Sequence, residues 1–320
     1  MRQLEYMKQI FNEEQINKAV FIIESPLSKL SELYHSEVEN LAILWCYYSG
    51  KIEGNGYTYV ETETLLKNGI TPSKKYEDAE MLINLHNTFT EELKHIKGEN
   101  SRRIDKSTLF RVYQSISSDL VPDEKSGYLR NRTVCVSGIE YTPTKELHKI
   151  REKLDEILYQ QEQYTNPLER AVYLHCNIAQ LQPFTSENKH APRIIESFVL
   201  MHADIIPVYS LRDADVLNYK KRLISFCKTG AYSLYADYFL NRQIERIKEI
   251  DPYDIEELKK SHGIMTKYVV DISGEFRNSD EGVLMIEDVV FLLCHPHILF
   301  LHLWMTYLIG CKMKKIIRIL

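Results

Sequence analysis

The sequence predicts an all-α protein that carries one small β-hairpin, and three observations indicate this fold class. Helix breakers are scarce, because only 12 Gly and 10 Pro occur among 320 residues. Apolar side chains recur at helical spacing through most of the chain. Alternation of apolar and smaller side chains, which is typical of strands, occurs clearly in one short segment.

Capping signals place the helices that precede this segment. Ser36 and Glu39 form a predicted capping box, after which apolar residues repeat every three or four positions. Thr58 and Glu61 form a second predicted box, and Gly69 ends the short helix that it opens. Two further helices are predicted over residues 76–93 and 105–116.

The strand-like segment runs from Gly127 to Pro143 and reads GYLRNRTVCVSGIEYTP. Val134 and Val136 alternate with their neighbours and Gly138 turns the chain, so two paired strands are predicted. Since an isolated hairpin is not stable in water, it must lie on the helices. Its exposed edge would be free to pair with an extended peptide.

Helical periodicity resumes after the hairpin and weakens beyond Ile250. The predicted helices here span residues 145–160, 167–181 and 191–203. The chain therefore divides into three predicted regions. They are an N-terminal helical region over residues 1–70, a core domain over 71–250, and a C-terminal element over 251–320 whose structure the pattern leaves open.

Composition predicts a soluble, cytoplasmic protein. Hydrophobic residues make up 44% and charged residues 27%, which is ordinary for a chain that buries a large core. The net charge is −5 and no stretch is strongly basic, which argues against a nucleic-acid partner. The 6 cysteines form no CxxC pair, as expected of reduced thiols. The polar N-terminal residues contain no apolar signal segment, so no secretory leader is expected.

One segment leaves several interpretations open. Val289–Cys311 contains no Asp, Glu, Lys or Arg, and a basic run follows it. That length would suffice to cross a bilayer with the basic flank on the cytoplasmic side. His295, Pro296 and His297 instead favour a core helix or a divergent tail, because proline and polar rings are costly inside a membrane helix.

Three blocks of sequence occur in an order that points to a known family. SGKIEGN places Ser49, Glu53 and Gly54 in the pattern (S/T)xxxE(G/N). The hairpin segment follows, and Ala171–Leu200 then holds a helix that leads into a loop containing QPFTSENKHAPR. Together the blocks resemble the N-terminal inhibitory helix, the flap and the catalytic loop, HPFx(D/E)GN(G/K)RxxR, of the Fic family.

The resemblance implies a Fic-fold helical bundle that transfers a nucleotide moiety, usually AMP from ATP, to a hydroxyl group of a target protein. The flap, with residues Thr133, Val134, Cys135 and Val136, would bind that protein target. In the family's loop a His is the general base, an acidic residue holds Mg²⁺, and glycines and two arginines surround the phosphates. ATP and Mg²⁺ are therefore the implied cofactors.

Four positions of this loop depart from the family pattern. Gln182 stands at the position of the catalytic His, and an amide cannot accept the proton. Ser186 stands at the position of the metal-binding acid, while Glu187 replaces the first Gly. His190 replaces the first Arg and lacks its permanent charge and forked donors. Impaired catalysis with weak or absent nucleotide binding is therefore predicted.

Other positions match the pattern. Asn188, Lys189 and Arg193 are the implied nucleotide-binding residues. Glu53 is expected to pair with Arg193, either as the family's inhibitory contact or, as we favour, as a structural ion pair between two helices. His175, on the helix before the loop, is interpreted as a packed core histidine rather than a ligand.

Two alternatives to an impaired family member stay open at this point. An active transferase would use His190 as a shifted base and Glu187 as a shifted metal ligand. A membrane-tethered interaction protein would instead use Val289–Cys311 as its anchor.

Overall fold

The computed structural model describes residues 9–96, 103–122, 127–134, 141–210 and 213–250, together with two strands nearer the C-terminus. The chain divides into two compact units, Met1–Ile250 and Asp251–Leu320. The first unit is mostly helical, in agreement with the predicted all-α class. Its predicted subdivision at residue 70 stays a prediction.

Ten α-helices are described in the first unit. In chain order they are α1 (Glu13–Glu24), α2 (His35–Glu53), α3 (Tyr59–Asn68), α4 (Tyr76–Ile96), α5 (Lys106–Ser117), α6 (Leu147–Gln160), α7 (Pro167–Leu181), α8 (His190–His202), α9 (Asp213–Thr229) and α10 (Ser233–Ile250). The helices predicted from the sequence correspond to α2 through α8, with ends that differ by a few residues. The pattern does not delimit α1, α9 or α10.

The ends of α2 and α3 follow from their local sequence. Thr58 Oγ1 accepts the N–H of Glu61 at 3.3 Å, and Glu61 Oε2 accepts the N–H of Thr58 at 2.8 Å, which confirms the predicted capping box. Gly54 and Gly69 end α2 and α3 with φ angles of 88° and 68°. Glycine adopts this left-handed conformation without steric cost.

The capping box predicted at Ser36 and Glu39 is wrong. Helix α2 begins at His35, so Ser36 already lies inside the first turn and cannot cap it. Glu37 Oε2 instead accepts the N–H of Tyr34 at 2.7 Å. The contact that closes the first turn of α2 is therefore made by Glu37, two residues before the predicted Glu39.

Helices α7 and α8 form the centre of the first unit. They pack against each other, α7 also contacts α6, α9 and α10, and α8 also contacts α4 and α5. Every residue of α8 from His190 to Met201 is buried. A helix that is covered on all sides is the core of its domain, so the loop that joins α7 to α8 emerges from the most constrained part of the fold.

The predicted hairpin is not seen in the described residues. Residues 127–134 and 141–146 have irregular backbone, and these include Thr133 and Val134. Cys135 and Val136, together with the predicted turn, lie outside the described residues. The strand pairing therefore stays a prediction.

The second unit contains a short antiparallel pair of strands, β1 (Val283–Ile286) and β2 (Val289–Leu292). A helix beginning at Val289 is therefore wrong over β2, whose Val-Val-Phe sequence suits a strand better. The rest of the apolar segment, with His295, Pro296 and His297, lies outside the described residues. Among the helices that are described, none combines the length and the apolar character that crossing a membrane requires.

Three cysteines can be placed in the described part of the chain. Cys46, Cys176 and Cys227 are buried and free, as expected of reduced thiols. Burial raises the pKa of the Cys227 thiol to about 11, so this group is not a reactive thiolate near neutral pH.

Candidate functional site

Gln182, which the sequence resemblance places at the catalytic His position, ends α7 in a strained conformation. Its φ and ψ angles are 49° and 61°, in the left-handed region that side chains other than glycine rarely enter. The side-chain Nε2 donates to Ala179 O at 2.6 Å, and only 8% of the residue is exposed. The amide is therefore turned back onto the end of its own helix.

Phe184 anchors the loop in the core. The residue is fully buried, and its ring stacks on Tyr113 of α5 with a centroid distance of 3.9 Å and an angle of 2°. Phe110 meets it edge-on at 5.6 Å. The hydroxyls of Tyr113 and Thr185 lie 2.9 Å apart. Aromatic burial of this kind supplies much of the energy that orders a short loop.

Asn188 closes the loop upon itself. Its Oδ1 accepts the N–H of Phe184 at 2.8 Å, and its Nδ2 donates to Phe184 O at 2.7 Å. Both backbone polar groups of the buried residue Phe184 are therefore satisfied by one buried side chain. This contact gives Asn188 a structural role that the sequence does not show.

Replacing Asn188 by aspartate should lower the free energy of unfolding by about 2 kcal/mol at neutral pH, because Phe184 O loses its donor and faces a carboxylate oxygen. Urea unfolding of Asn188→Asp would measure this loss. Asn87→Asp, at an exposed position of α4, is the matched control and should leave stability nearly unchanged. Equal stability of both variants would contradict the structural role.

Glu187 and His190 bind each other rather than remaining open to solvent. Glu187 Oε2 lies 2.6 Å from His190 Nδ1, and the exposed fractions of the two side chains are 14% and 2%. Glu187 has a φ angle of 55°, in the left-handed region that residues other than glycine rarely adopt. His190 Nε2 and Ser186 Oγ are buried and have no hydrogen-bond partner among the described residues.

Glu53, at the end of α2, connects that helix to the start of α8. Its Oε1 lies 3.1 Å from Arg193 Nη2, and its Oε2 lies 2.8 Å from Lys189 Nζ. Burial by itself would raise the pKa of Glu53, but Arg193, His190 and Lys189 together lower this pKa to about 2. Arg193 is 1% exposed and also donates to Ser49 O at 3.3 Å. The pair expected from the sequence is therefore formed.

Behind Arg193, a chain of buried polar side chains continues into the core. Arg193 Nη1 donates to Tyr219 OH at 3.3 Å, and this hydroxyl lies 3.0 Å from His175 Nε2. His175 Nδ1 lies 2.9 Å from Glu196 Oε2, but the two atoms do not form a hydrogen bond. His175 is fully buried, as its interpretation as a packed core histidine expects.

Two arginines of the segment that resembles the flap also reach the loop, and sequence reasoning missed both. Arg130 is fully buried and binds backbone carbonyl groups at the end of α7. Arg132 Nη2 donates to Thr185 O at 3.0 Å. Two arginines beside the predicted strand are the available signal, but a solvated charge is the usual interpretation of such residues.

Comparison with known proteins shows what this arrangement is similar to. The chain is 20% identical over 252 residues to the protein adenylyltransferase fic-1 of Caenorhabditis briggsae. The match covers 77% of this chain and 45% of that relative, so the chain spans less than half of the relative's length. No protein-family profile matches the sequence.

Solved structures show the same fold. Fic-1 of Caenorhabditis elegans has a TM-score of 0.61 at 19% identity, covering 78% of this chain and 73% of that one. A Fic family protein of Desulfovibrio desulfuricans has a TM-score of 0.63 at 16% identity, covering 82% and 78%. The chain has the fold of these Fic proteins.

On this Fic fold, the residues implied as nucleotide-binding are engaged within the protein. Asn188 binds the loop backbone, while Lys189 and Arg193 both bind Glu53. In the part of the chain that the structure describes, no three His, Cys, Asp or Glu side chains converge as metal ligands. These contacts join the loop to the helices. Each side chain that the resemblance assigns to nucleotide binding is therefore already bonded to another group of the protein.

Proposed function

We propose that this Fic-family chain is related to protein adenylyltransferases, is impaired in AMP transfer, and acts by binding a protein partner. The observation that carries the proposal is the amide of Gln182 at the base position, with its Nε2 bonded to Ala179 O at 2.6 Å. An amide has no site that accepts a proton near neutral pH. Loss of general-base assistance typically lowers a rate by a factor on the order of 10²–10⁴.

The donor groups at the position of the metal ligand support the same proposal. Magnesium in nucleotide sites is usually held by one or two carboxylates and by phosphate oxygens. Ser186 offers a neutral hydroxyl, and the nearby carboxylate of Glu187 is bonded to His190 at 2.6 Å. These groups do not fit a magnesium site, so no catalytic step is assigned to the metal.

The contact between Glu187 and His190 counts against the shifted-base alternative. That alternative assigns Glu187 to the metal and His190 to proton transfer, but here the Glu187 carboxylate is bonded to His190. The imidazole is also 2% exposed, so an incoming hydroxyl group has no route to it without a rearrangement of the loop. A general base must come within hydrogen-bond distance of the proton that it takes.

The proposal for the partner rests on the segment around Thr133 and Val134. Arg130 and Arg132 hold the beginning of this segment against the loop. A target segment bound there would lie next to the α7–α8 loop, as the resemblance to the Fic flap implies.

Labelling with ATP tests the proposed impairment. The purified chain is incubated with α-labelled ATP, Mg²⁺ or Mn²⁺ and cell lysate, beside Gln182→Ala and Glu53→Gly. We expect all three proteins to give the same background label, because the base is lacking even when the Glu53 contact is removed. Label that rises in Glu53→Gly and is lost on His190→Gln would contradict the proposal.

A variant with the family pattern provides the positive control. The combined changes Gln182→His, Ser186→Asp, Glu187→Gly and His190→Arg, with Glu53→Gly, restore the base, the acid and the phosphate contacts. This protein should bind ATP in calorimetry and show transfer at least about 10²-fold above the unchanged chain. Calorimetry on the unchanged chain separates weak nucleotide binding from slow chemistry.

A further inference from the structure

The backbone carbonyl groups from the last residue of α7 into the loop accept hydrogen bonds from outside the helix ladder. Residues 181–185 contribute the five carbonyl oxygens, and Arg130 supplies donors to the first three, through its guanidinium and its own N–H. Asn188 and Arg132 supply the others. The donor–acceptor pairs are Arg130 Nη2 to Leu181 O (3.1 Å), Arg130 Nε to Gln182 O (2.5 Å), Arg130 N to Pro183 O (3.0 Å), Asn188 Nδ2 to Phe184 O (2.7 Å) and Arg132 Nη2 to Thr185 O (3.0 Å).

Arg130 is unusual because its charge is buried against backbone oxygens. The residue is 0% exposed, and among the described residues no carboxylate forms an ion pair with it. Burial lowers the pKa of its guanidinium. The carbonyl oxygens at a helix C-terminus carry partial negative charge, so they stabilise a cation placed there. The C-terminus of α7 therefore provides the counter-charge.

Gln182 has a backbone conformation that needs support from its surroundings. A left-handed glutamine is disfavoured in isolation, and it persists only where surrounding groups determine it. Two peptide links flank the Cα atom of Gln182, and Arg130 binds the carbonyl oxygen of each, Leu181 O and Gln182 O. These bonds restrict the direction in which the chain leaves α7.

We infer that Arg130 is a positioning residue: it holds Gln182 in the left-handed conformation and thereby joins the proposed partner-binding segment to the α7–α8 loop as one hydrogen-bonded unit. The inference rests on the proposed function for its meaning, since it states how binding at residues 127–134 would be linked to the loop. Its structural content stands on the contacts alone. The direction of the side chain at position 182 therefore depends on the hydrogen bonds of Arg130.

Hydrogen exchange of single amides, followed by NMR in the full chain, tests this role. The reporters are the N–H of Gln182, bonded to Ile178 O at 3.0 Å, and the N–H of Phe184, bonded to Asn188 Oδ1 at 2.8 Å. Arg130→Met should speed exchange of both by at least about tenfold relative to amides of α4. Arg130→Lys should give an intermediate effect, because one ammonium group cannot span the carbonyls that the guanidinium fork binds. Arg151→Met, at an exposed site of α6, should change neither rate.

A second substitution separates positioning from mere packing. Glycine adopts positive φ without cost, so in Gln182→Gly the backbone should keep its conformation without the hydrogen bonds of Arg130. Combined with Arg130→Lys, it should return the Phe184 exchange rate to within about threefold of Gln182→Gly alone. No rescue by Gln182→Gly, or an equal rise in exchange across α4 and the loop, would overturn the inference. If Arg130→Met does not fold, Arg130→Lys carries the same comparison.

These measurements use neither ATP nor a partner. Unexpected label transfer by the unchanged chain would overturn the proposed impairment and leave the exchange rates as they are. Loss of the predicted rescue would overturn the role of Arg130 and leave the labelling result untouched. The two proposals therefore fail separately.

Discussion

Replacing Arg193 by alanine is expected to lower the free energy of unfolding by about 3–5 kcal/mol, because it leaves the Glu53 carboxylate largely buried with only Lys189 as a close cation. The guanidinium is 1% exposed and binds Glu53, Ser49 and Tyr219. Its loss also removes the link between α2 and α8. Glu53→Ala should also destabilise the fold, because it leaves the buried Arg193 guanidinium without its carboxylate partner.

Urea unfolding at neutral pH measures both effects. Arg151→Ala removes an exposed arginine of α6 and should change stability by less than about 0.5 kcal/mol. The double variant Glu53→Gln with Arg193→Met should lose less than the sum of the single losses, because neither partner is left charged and alone. Coincident unfolding curves for Arg193→Ala, Glu53→Ala and the parent chain would show that the pair contributes no stability.

The contribution of Glu53 should also depend on pH. Burial opposes ionisation, but Arg193, His190 and Lys189 hold the pKa of Glu53 at about 2, below its ordinary value of 4.5. A group whose pKa is lower in the folded state stabilises fully above the unfolded pKa, and this stabilisation is lost as pH falls through the folded pKa. The difference in stability between the parent chain and Glu53→Gln should therefore be constant above about pH 5 and narrow as the pH falls towards about 2.

Replacing Phe184 by alanine is the second change with a large expected effect, a loss of about 3–5 kcal/mol. The ring is fully buried, stacked on Tyr113 and met edge-on by Phe110. Alanine would leave a cavity between α5 and the loop, and these well-packed neighbours cannot fill it without moving. Thermal or urea unfolding measures the loss.

The matched comparisons for Phe184→Ala differ in burial and in volume. Phe21→Ala, in α1, removes a ring that is 47% exposed and should cost much less. Phe184→Leu retains most of the volume and should cost less than about half of the alanine effect. If Phe184→Ala is no more destabilising than Phe21→Ala, the loop is not anchored through this ring.

The resemblance in the sequence was sufficient to bring Glu53 and Arg193 together, and the structure places them 3.1 Å apart. It was not sufficient to find the second cation on Glu53, Lys189, or the bond between Glu187 and His190. Residue types at motif positions indicate which groups meet in relatives. They do not show which of several charged neighbours is bound by a side chain that departs from the family pattern.

Local patterns succeeded or failed according to how many alternatives they allowed. The capping box at Thr58 has one possible register and is confirmed, whereas the one at Ser36 had an overlapping competitor. The apolar segment that begins at Val289 fits a strand or a helix by periodicity alone, and β2 shows that its start is a strand. Short apolar runs need a partner strand to decide between the two.

By itself the sequence determined the helical fold and the resemblance to Fic proteins, since these follow from periodicity and motif order. From residue type it also predicts that Gln182, Ser186 and His190 lack the chemistry of the Fic loop. Only the tertiary structure decided that Arg130 clamps the end of α7 and that Glu187 is bonded to His190. The first contact joins residues far apart in the chain, and the second depends on the backbone conformation of Glu187. Burial, which the folded chain alone creates, makes each of them strong.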